Sequence, residues 1–214
     1  RAAFFLGEEQ YRRASFEEAM AHYRAALDAD STFTYAALRA AQAASWLNKA
    51  PEAAALLESA GPRLDSLPPK YSAFARGLLA YQQGHADTAI ARFRAVLDID
   101  PASVEGWMAL GEVYAHLLPH EGSIDSLAEH AFVQVRRLDS SFAPALPHLI
   151  EAALRRKDNS AVRLLAGFAR GAGDELEVAY LTLATDCALG APKPMDWVAA
   201  ARRDPVAVYN ASQV

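Results

Sequence analysis

The stretch HLLPHEGSID, residues 116–125, carries the sharpest candidate for metal chemistry in the chain. His116, His120, Glu121 and Asp125 offer imidazole nitrogens and carboxylate oxygens, the donors that zinc accepts. On a helix the two histidines would lie one turn apart on a shared face. Pro119 stands between them, and a proline breaks the register that such a pair needs. The next histidine, His130, falls on the following predicted helix. A solvated loop is therefore the expectation, with no metal and no cofactor. Cys187 is the single cysteine, so no intrachain disulfide can form. With no basic residue beside it in sequence to activate it, it reads as a small buried hydrophobe. The chain contains no G-x-S-x-G, no phosphate-cradling glycine loop, no H-E-x-x-H and no G-x-G-x-x-G. Nothing here assembles a catalytic set, and the expected protein is not an enzyme.

Composition narrows the class further. Of the 214 residues, 52% are hydrophobic and 22% charged, which suits a folded chain. Lys and Arg number 21 against 26 Asp and Glu, a formal net charge of −5. That balance leaves no basic excess to neutralise a phosphate backbone, so nucleic acid is not the expected partner. No apolar run approaches the roughly 18 residues of a membrane span. The lone cysteine suits a reducing compartment. The expectation is a cytoplasmic piece of a longer or processed protein, since the sequence opens at Arg1 without a signal-peptide pattern.

The elements follow from spacing. Trp107, Leu110, Gly111 and Tyr114 fall at i, i+3, i+4 and i+7, one face of a helix. A glycine inside a helix costs about 1 kcal/mol against alanine, so Gly111 implies another helix crossing closely. Upstream, Ala89, Phe93 and Val96 mark a helix that ends before Pro101, with Gly84 as the turn ahead of it. The same arrangement returns at Gly7, Ala19 and Tyr23, at Ala53 and Leu57, and at Ala128 and Phe132. By residue number the intervals between Ala19, Ala53, Ala89 and Ala128 are 34, 36 and 39. A fifth anchor falls near Ala161, with Val162 as its competitor. Capping boxes are expected at Ser15–Glu18 and Ser126–Glu129. No alternating strand pattern occurs.

W-x-x-L-G-x-x-Y followed by A-x-x-x-F-x-x-A and Pro at a period near 34 resembles the tetratricopeptide repeat. The match is strong at Trp107–Tyr114 and Ala89–Val96. It is weak in the second unit, where Ala41 replaces the glycine, and in the fifth, where Ile150 does. The resemblance implies an all-α, right-handed superhelical solenoid of antiparallel helix pairs. The units would be about 1–33, 34–67, 68–103, 104–142 and 143–171. Residues 172–203 would form degraded capping helices, at 174–189 and 195–203, and 204–214 a tail.

In that family the first helix of each pair lines a concave groove. Mapping the outward positions of the repeat gives Phe4, Tyr11 and Arg12 in the first unit. The second gives Tyr35, Arg39, Gln42 and Trp46, and the third Tyr71, Phe74 and Tyr81. Met108, Glu112 and His116 come from the fourth, His148 and Arg155 from the fifth. The set is rich in rings that the repeat pattern does not itself require. Such rings are favoured where a partner docks. The implied function is a protein- or peptide-binding scaffold that takes an extended peptide or amphipathic helix, with Arg12 and Arg39 placing an acidic group. The basic clamp of carboxylate-binding relatives is missing. Two alternatives stay open: the chain's own segments fill the groove, or copies of the chain assemble through repeat faces or ends. A metal-binding protein or enzyme using the His116–His120 loop is a third, weaker alternative. Phrases such as EGWMALGEVYAH and FAPALPHLIEAALRRKD resemble repeat regions joined to bacterial serine/threonine kinases, winged-helix regulators and adenylate cyclases. That likeness implies a signalling or regulatory setting.

Overall fold

The computed structural model describes residues 1–119, 122–171, 175–190, 198, 199 and 202. Among these residues the chain is helical, without strands. The α-helices are α1 (Ala2–Arg12), α2 (Phe16–Ala29), α3 (Thr34–Trp46), α4 (Ala50–Ala60), α5 (Pro69–Gln82), α6 (Ala86–Ile99), α7 (Val104–His116), α8 (Gly122–Leu138), α9 (Leu146–Arg155), α10 (Ser160–Gly171) and α11 (Glu175–Leu189). Short 3-10 turns cover Gly61–Ser66 and Ala143–Ala145. The expected helix at 195–203 and the tail at 204–214 lie almost wholly outside the described residues, as do His120 and Glu121. Among the described residues no helix is long and apolar enough to cross a membrane.

The chain forms two compact units, Arg1–Phe142 and Ala143–Val214. In the first, α1 packs on α2, α3 on α4, α5 on α6 and α7 on α8, and successive pairs join through α2 with α3, α4 with α5 and α6 with α7. Helix α3 also approaches α5, and α5 approaches α7, so the first helices of these pairs run along one face. In the second unit α9, α10 and α11 all pack on one another.

A small residue set against a large one locks each strong pair. A Cβ added to Gly7 would sit 2.5 Å from the ring of Tyr23, one on Gly77 2.6 Å from Phe93, and one on Gly111 2.6 Å from Phe132. Those approaches leave no room for a methyl group. In the second pair both sides change together: Ala41 replaces the glycine, Leu57 replaces the ring, and both are fully buried. At the fifth anchor, Ala161 is buried whereas Val162 is half exposed, which decides between the two candidates.

Four of the turns inside the pairs share one device. Two residues past the end of α1, α3, α5 and α9, the backbone turns left-handed at Ala14, Asn48, Gly84 and Lys157. The following N–H then bonds back five residues, as Ser15 N to Gln10 O, Lys49 N to Ala44 O, His85 N to Ala80 O and Asp158 N to Ala153 O. These bonds satisfy carbonyls that the helix end would leave open. Only one of the four positions is glycine, so the sequence pattern showed only Gly84. The capping boxes fare differently. Ser15 occupies an N-cap but its side chain makes no cap bond. Ser126 lies inside α8, which begins earlier at Gly122, so that expected start is corrected. Among the described residues a side-chain cap is seen at Ser103, whose Oγ accepts from Gly106 N at 3.2 Å.

Candidate binding surface on the inner helices

Helices α1, α3, α5 and α7 bring the expected groove residues of the first unit to a common side, but at different depths. Phe4, Tyr11, Arg39, Gln42, Phe74 and Met108 are buried. This corrects the expectation that they face outward: the pairs stand close enough for these side chains to pack on one another. Tyr35, Trp46, Tyr71, Tyr81 and Glu112 are half-buried, while Arg12 and His116 are exposed. His148 and Arg155 belong to the second unit, the first half-buried and the second exposed.

Arg39 shows what the packing does. Its side chain is 1% exposed. Glu8 accepts from Nε at 2.5 Å and from Nη2 at 3.1 Å, and Gln42 Oε1 accepts from Nη1 at 2.7 Å. The guanidinium also lies 4.1 Å from the centre of the Tyr11 ring. Tyr23 completes the cluster by donating to Glu8 Oε1 at 2.6 Å. A buried cation is tolerated only when it is paired and hydrogen-bonded in this way. Burial pushes the Tyr11 phenol up to about 12, although the Arg39 charge pulls the other way. Arg12 likewise meets an acid of its own chain, pairing with Asp139 and donating to Ser141 Oγ at 2.7 Å. The two arginines expected to hold a partner's acidic group therefore hold this chain's acids.

The rings also join pairs. Trp46 stacks on Phe16 at 5.0 Å and donates to Tyr11 Oη at 2.8 Å. Tyr35 and Tyr71 touch across α3 and α5, with centroids 4.7 Å apart. Within the third pair, Phe74 contacts Phe93 at 5.3 Å. Burial pushes the Tyr35 and Tyr81 phenols upward, and for Tyr81 the Glu112 carboxylate adds to the rise.

An open recess remains. It spans about 270 Å³ including the solvent at its mouth, with Tyr35, Tyr71, Lys70 and Glu105 among its lining residues and Arg39 and Phe74 in its floor. Lys70 is tied to Asp100 at 2.9 Å and stands 5.0 Å from the Tyr71 ring centre. Lys70 and Glu105 were not among the residues read from the repeat pattern. Lys70 stands at the start of α5 and Glu105 at the start of α7, and their proximity depends on how neighbouring pairs stack.

Of the residues expected in the histidine loop, His116 Nε2 lies 3.5 Å from Glu112 Oε2 on the same helix. His130 packs edge-on against Trp107 at 5.7 Å. Cys187 is exposed, not buried as expected, because it falls on an outward position of α11.

No family model matches the sequence, and no curated protein matches it either. Solved structures do match. A thermophilic TPR protein from Thermus thermophilus aligns with a TM-score of 0.61 at 15% identity, over 85% of this chain and 100% of its own. A tetratricopeptide repeat protein from Parabacteroides merdae gives 0.55 at 15% identity, over 99% and 83%. The Pseudomonas aeruginosa protein pilF gives 0.54 at 17%, over 98% and 94%.

Proposed function

Because the chain has the fold of the tetratricopeptide-repeat proteins, we propose that it is a non-enzymatic protein- or peptide-binding module. Its docking face is the inner wall of the first unit, centred on the recess rimmed by Tyr35, Tyr71 and Glu105. One observation carries this reading: rings with polar tips stand half exposed around an open recess, while their neighbours are sealed by packing. Amphipathic rings of this kind supply large contact area and a hydrogen-bonding end, which favours docking. The resemblance to repeat arms of bacterial regulators supports a place in a larger signalling protein, with the remaining half-exposed groove residues extending the contact.

A displayed peptide library selected on the full chain tests this. Selected peptides should crosslink to a photoreactive residue at position 71 and not to one at position 127 on α8. Tyr71→Ala should weaken them about tenfold, a loss typical of an interface ring, while the protein stays folded. Peptides that bind Tyr71→Ala as tightly as the parent chain would refute the recess as the docking face. Concentration-dependent growth in particle size without peptide capture would support the self-assembly alternative.

A further inference from the structure

At one end of α1 the first unit is covered by a segment from far along its own sequence. Arg12 pairs with Asp139 and donates to Ser141, 129 residues away. The ring of Phe142, 1% exposed, lies 6.1 Å from that of Tyr11. The covering segment reads Asp139-Ser140-Ser141-Phe142. Nearly the same tetrapeptide occurs earlier, as Asp30-Ser31-Thr32-Phe33.

The two copies fold alike. Asp30 accepts from Thr32 N at 3.0 Å and from its hydroxyl at 2.7 Å. Asp139 accepts from Ser141 N at 2.9 Å and from its hydroxyl at 2.7 Å. Both phenylalanines then reach α1, Phe33 onto Phe4 at 5.1 Å and Phe142 onto Tyr11. Helix α1 thus receives one tetrapeptide at each end. The first copy is delivered by the turn directly after α2 and is fixed by connectivity. The second arrives from the turn after α8 and brings its carboxylate onto Arg12. An exposed ion pair holds weakly, so the ring supplies most of the grip and the charge sets the register.

We propose that the Tyr11–Arg12 end of α1 is a receptor for an acid–x–x–aromatic segment. Asp139–Phe142 occupies it in cis, and a protein partner with the same spacing displaces that segment. The chain's own tetrapeptide specifies the chemistry: a carboxylate for Arg12 and, three residues on, a ring for Tyr11. The idea rests on the inner helices being the docking face. It also makes docking self-limiting, because a tethered competitor lowers apparent affinity by the fraction of sites it leaves open.

The probe is the synthetic peptide acetyl-Leu-Asp-Ser-Ser-Phe-Ala-amide, titrated by NMR into the isotope-labelled full chain. Phe142→Ala should bind it about tenfold more tightly than the parent chain, as expected when a cis competitor is removed. Shifts should centre on Tyr11, Arg12 and Trp46. Peptides with Asp replaced by Asn or Phe by Ala should bind more weakly. Asp139→Asn, a change at the surface, should gain about threefold, the scale of an exposed ion pair, and decides the matter if Phe142→Ala does not fold. Absence of any gain in the folded variants overturns the proposal, as does equal binding of the altered peptides. Shifts confined to Tyr35 and Tyr71 overturn it while leaving the recess as a docking face.

Discussion

Gly111 and Phe132 illustrate how a single contact sets a helix pair. Gly111→Ala would press a methyl group into the Phe132 ring, where the added Cβ has 2.6 Å. The cost of such overpacking is about 1–3 kcal/mol, offset in part by the roughly 1 kcal/mol that alanine gains over glycine inside a helix. The second pair has the compensated composition, with Ala41 at the glycine position and Leu57 at the ring position, both fully buried. Gly111→Ala combined with Phe132→Leu should therefore recover part of the stability that the first change alone loses, as read from urea midpoints. Strictly additive losses would show that the two positions do not share one space. Arg39 belongs to the same scale. Its type suggested a partner's acid, yet Glu8, Gln42 and Tyr11 of its own chain hold it, with the Glu105 carboxylate 4.0 Å away. Residue type announced a charge, and only packing assigned its partner.

At the scale of elements, the turns that reverse each pair carry the most local information. Ala14 sits at φ 60, a left-handed conformation that costs an L-residue roughly 1–2 kcal/mol. Gly84 holds the equivalent position at φ 74 without that cost. Ala14 is buried, so glycine there would also forfeit a packed methyl group. Lys157, left-handed at φ 53 and exposed, has no such loss. Lys157→Gly should therefore stabilise the chain by up to about 1 kcal/mol, after the added freedom of the unfolded glycine is subtracted. A lower thermal midpoint in that variant would contradict the turn geometry. The helices themselves were legible because their small and large faces repeat with a fixed period. Their starts were less so: Ser126 has the spelling of a cap but lies within α8, since Gly122 and the residues after it continue the helix upstream. Local spelling permits a helix end there without requiring one.

Across the whole molecule, the Arg12–Asp139 pair links the first and fourth pairs of the first unit. Partial burial raises the Asp139 carboxyl, but hydrogen bonds from Ser141 and Arg12 outweigh it and hold the group below the usual range. A carboxylate with a lowered folded pKa stabilises the native state above its unfolded value, near 3.9, and loses that contribution as pH falls through the folded value. Comparing the parent chain with Asp139→Asn should give a stability difference of at most about 1 kcal/mol. The difference should be steady above about pH 5 and fade toward pH 3. A difference that grew on acidification would have the wrong sign and would exclude the pair as its source.

The sequence alone established an all-α chain of paired helices, because helical periodicity and the glycine–aromatic alternation are properties of neighbouring residues. The same pattern put the expected groove residues of the first unit on α1, α3, α5 and α7, the first helices of the packed pairs. It could not rank those residues by depth. Whether a ring on α3 meets solvent or a ring on α5 depends on how closely successive pairs stack, and stacking distance is a property of side chains far apart in the chain. Tertiary structure alone therefore decided that Arg39 is sealed, that Arg12 holds Asp139, and that Tyr35 and Tyr71 remain at an open rim.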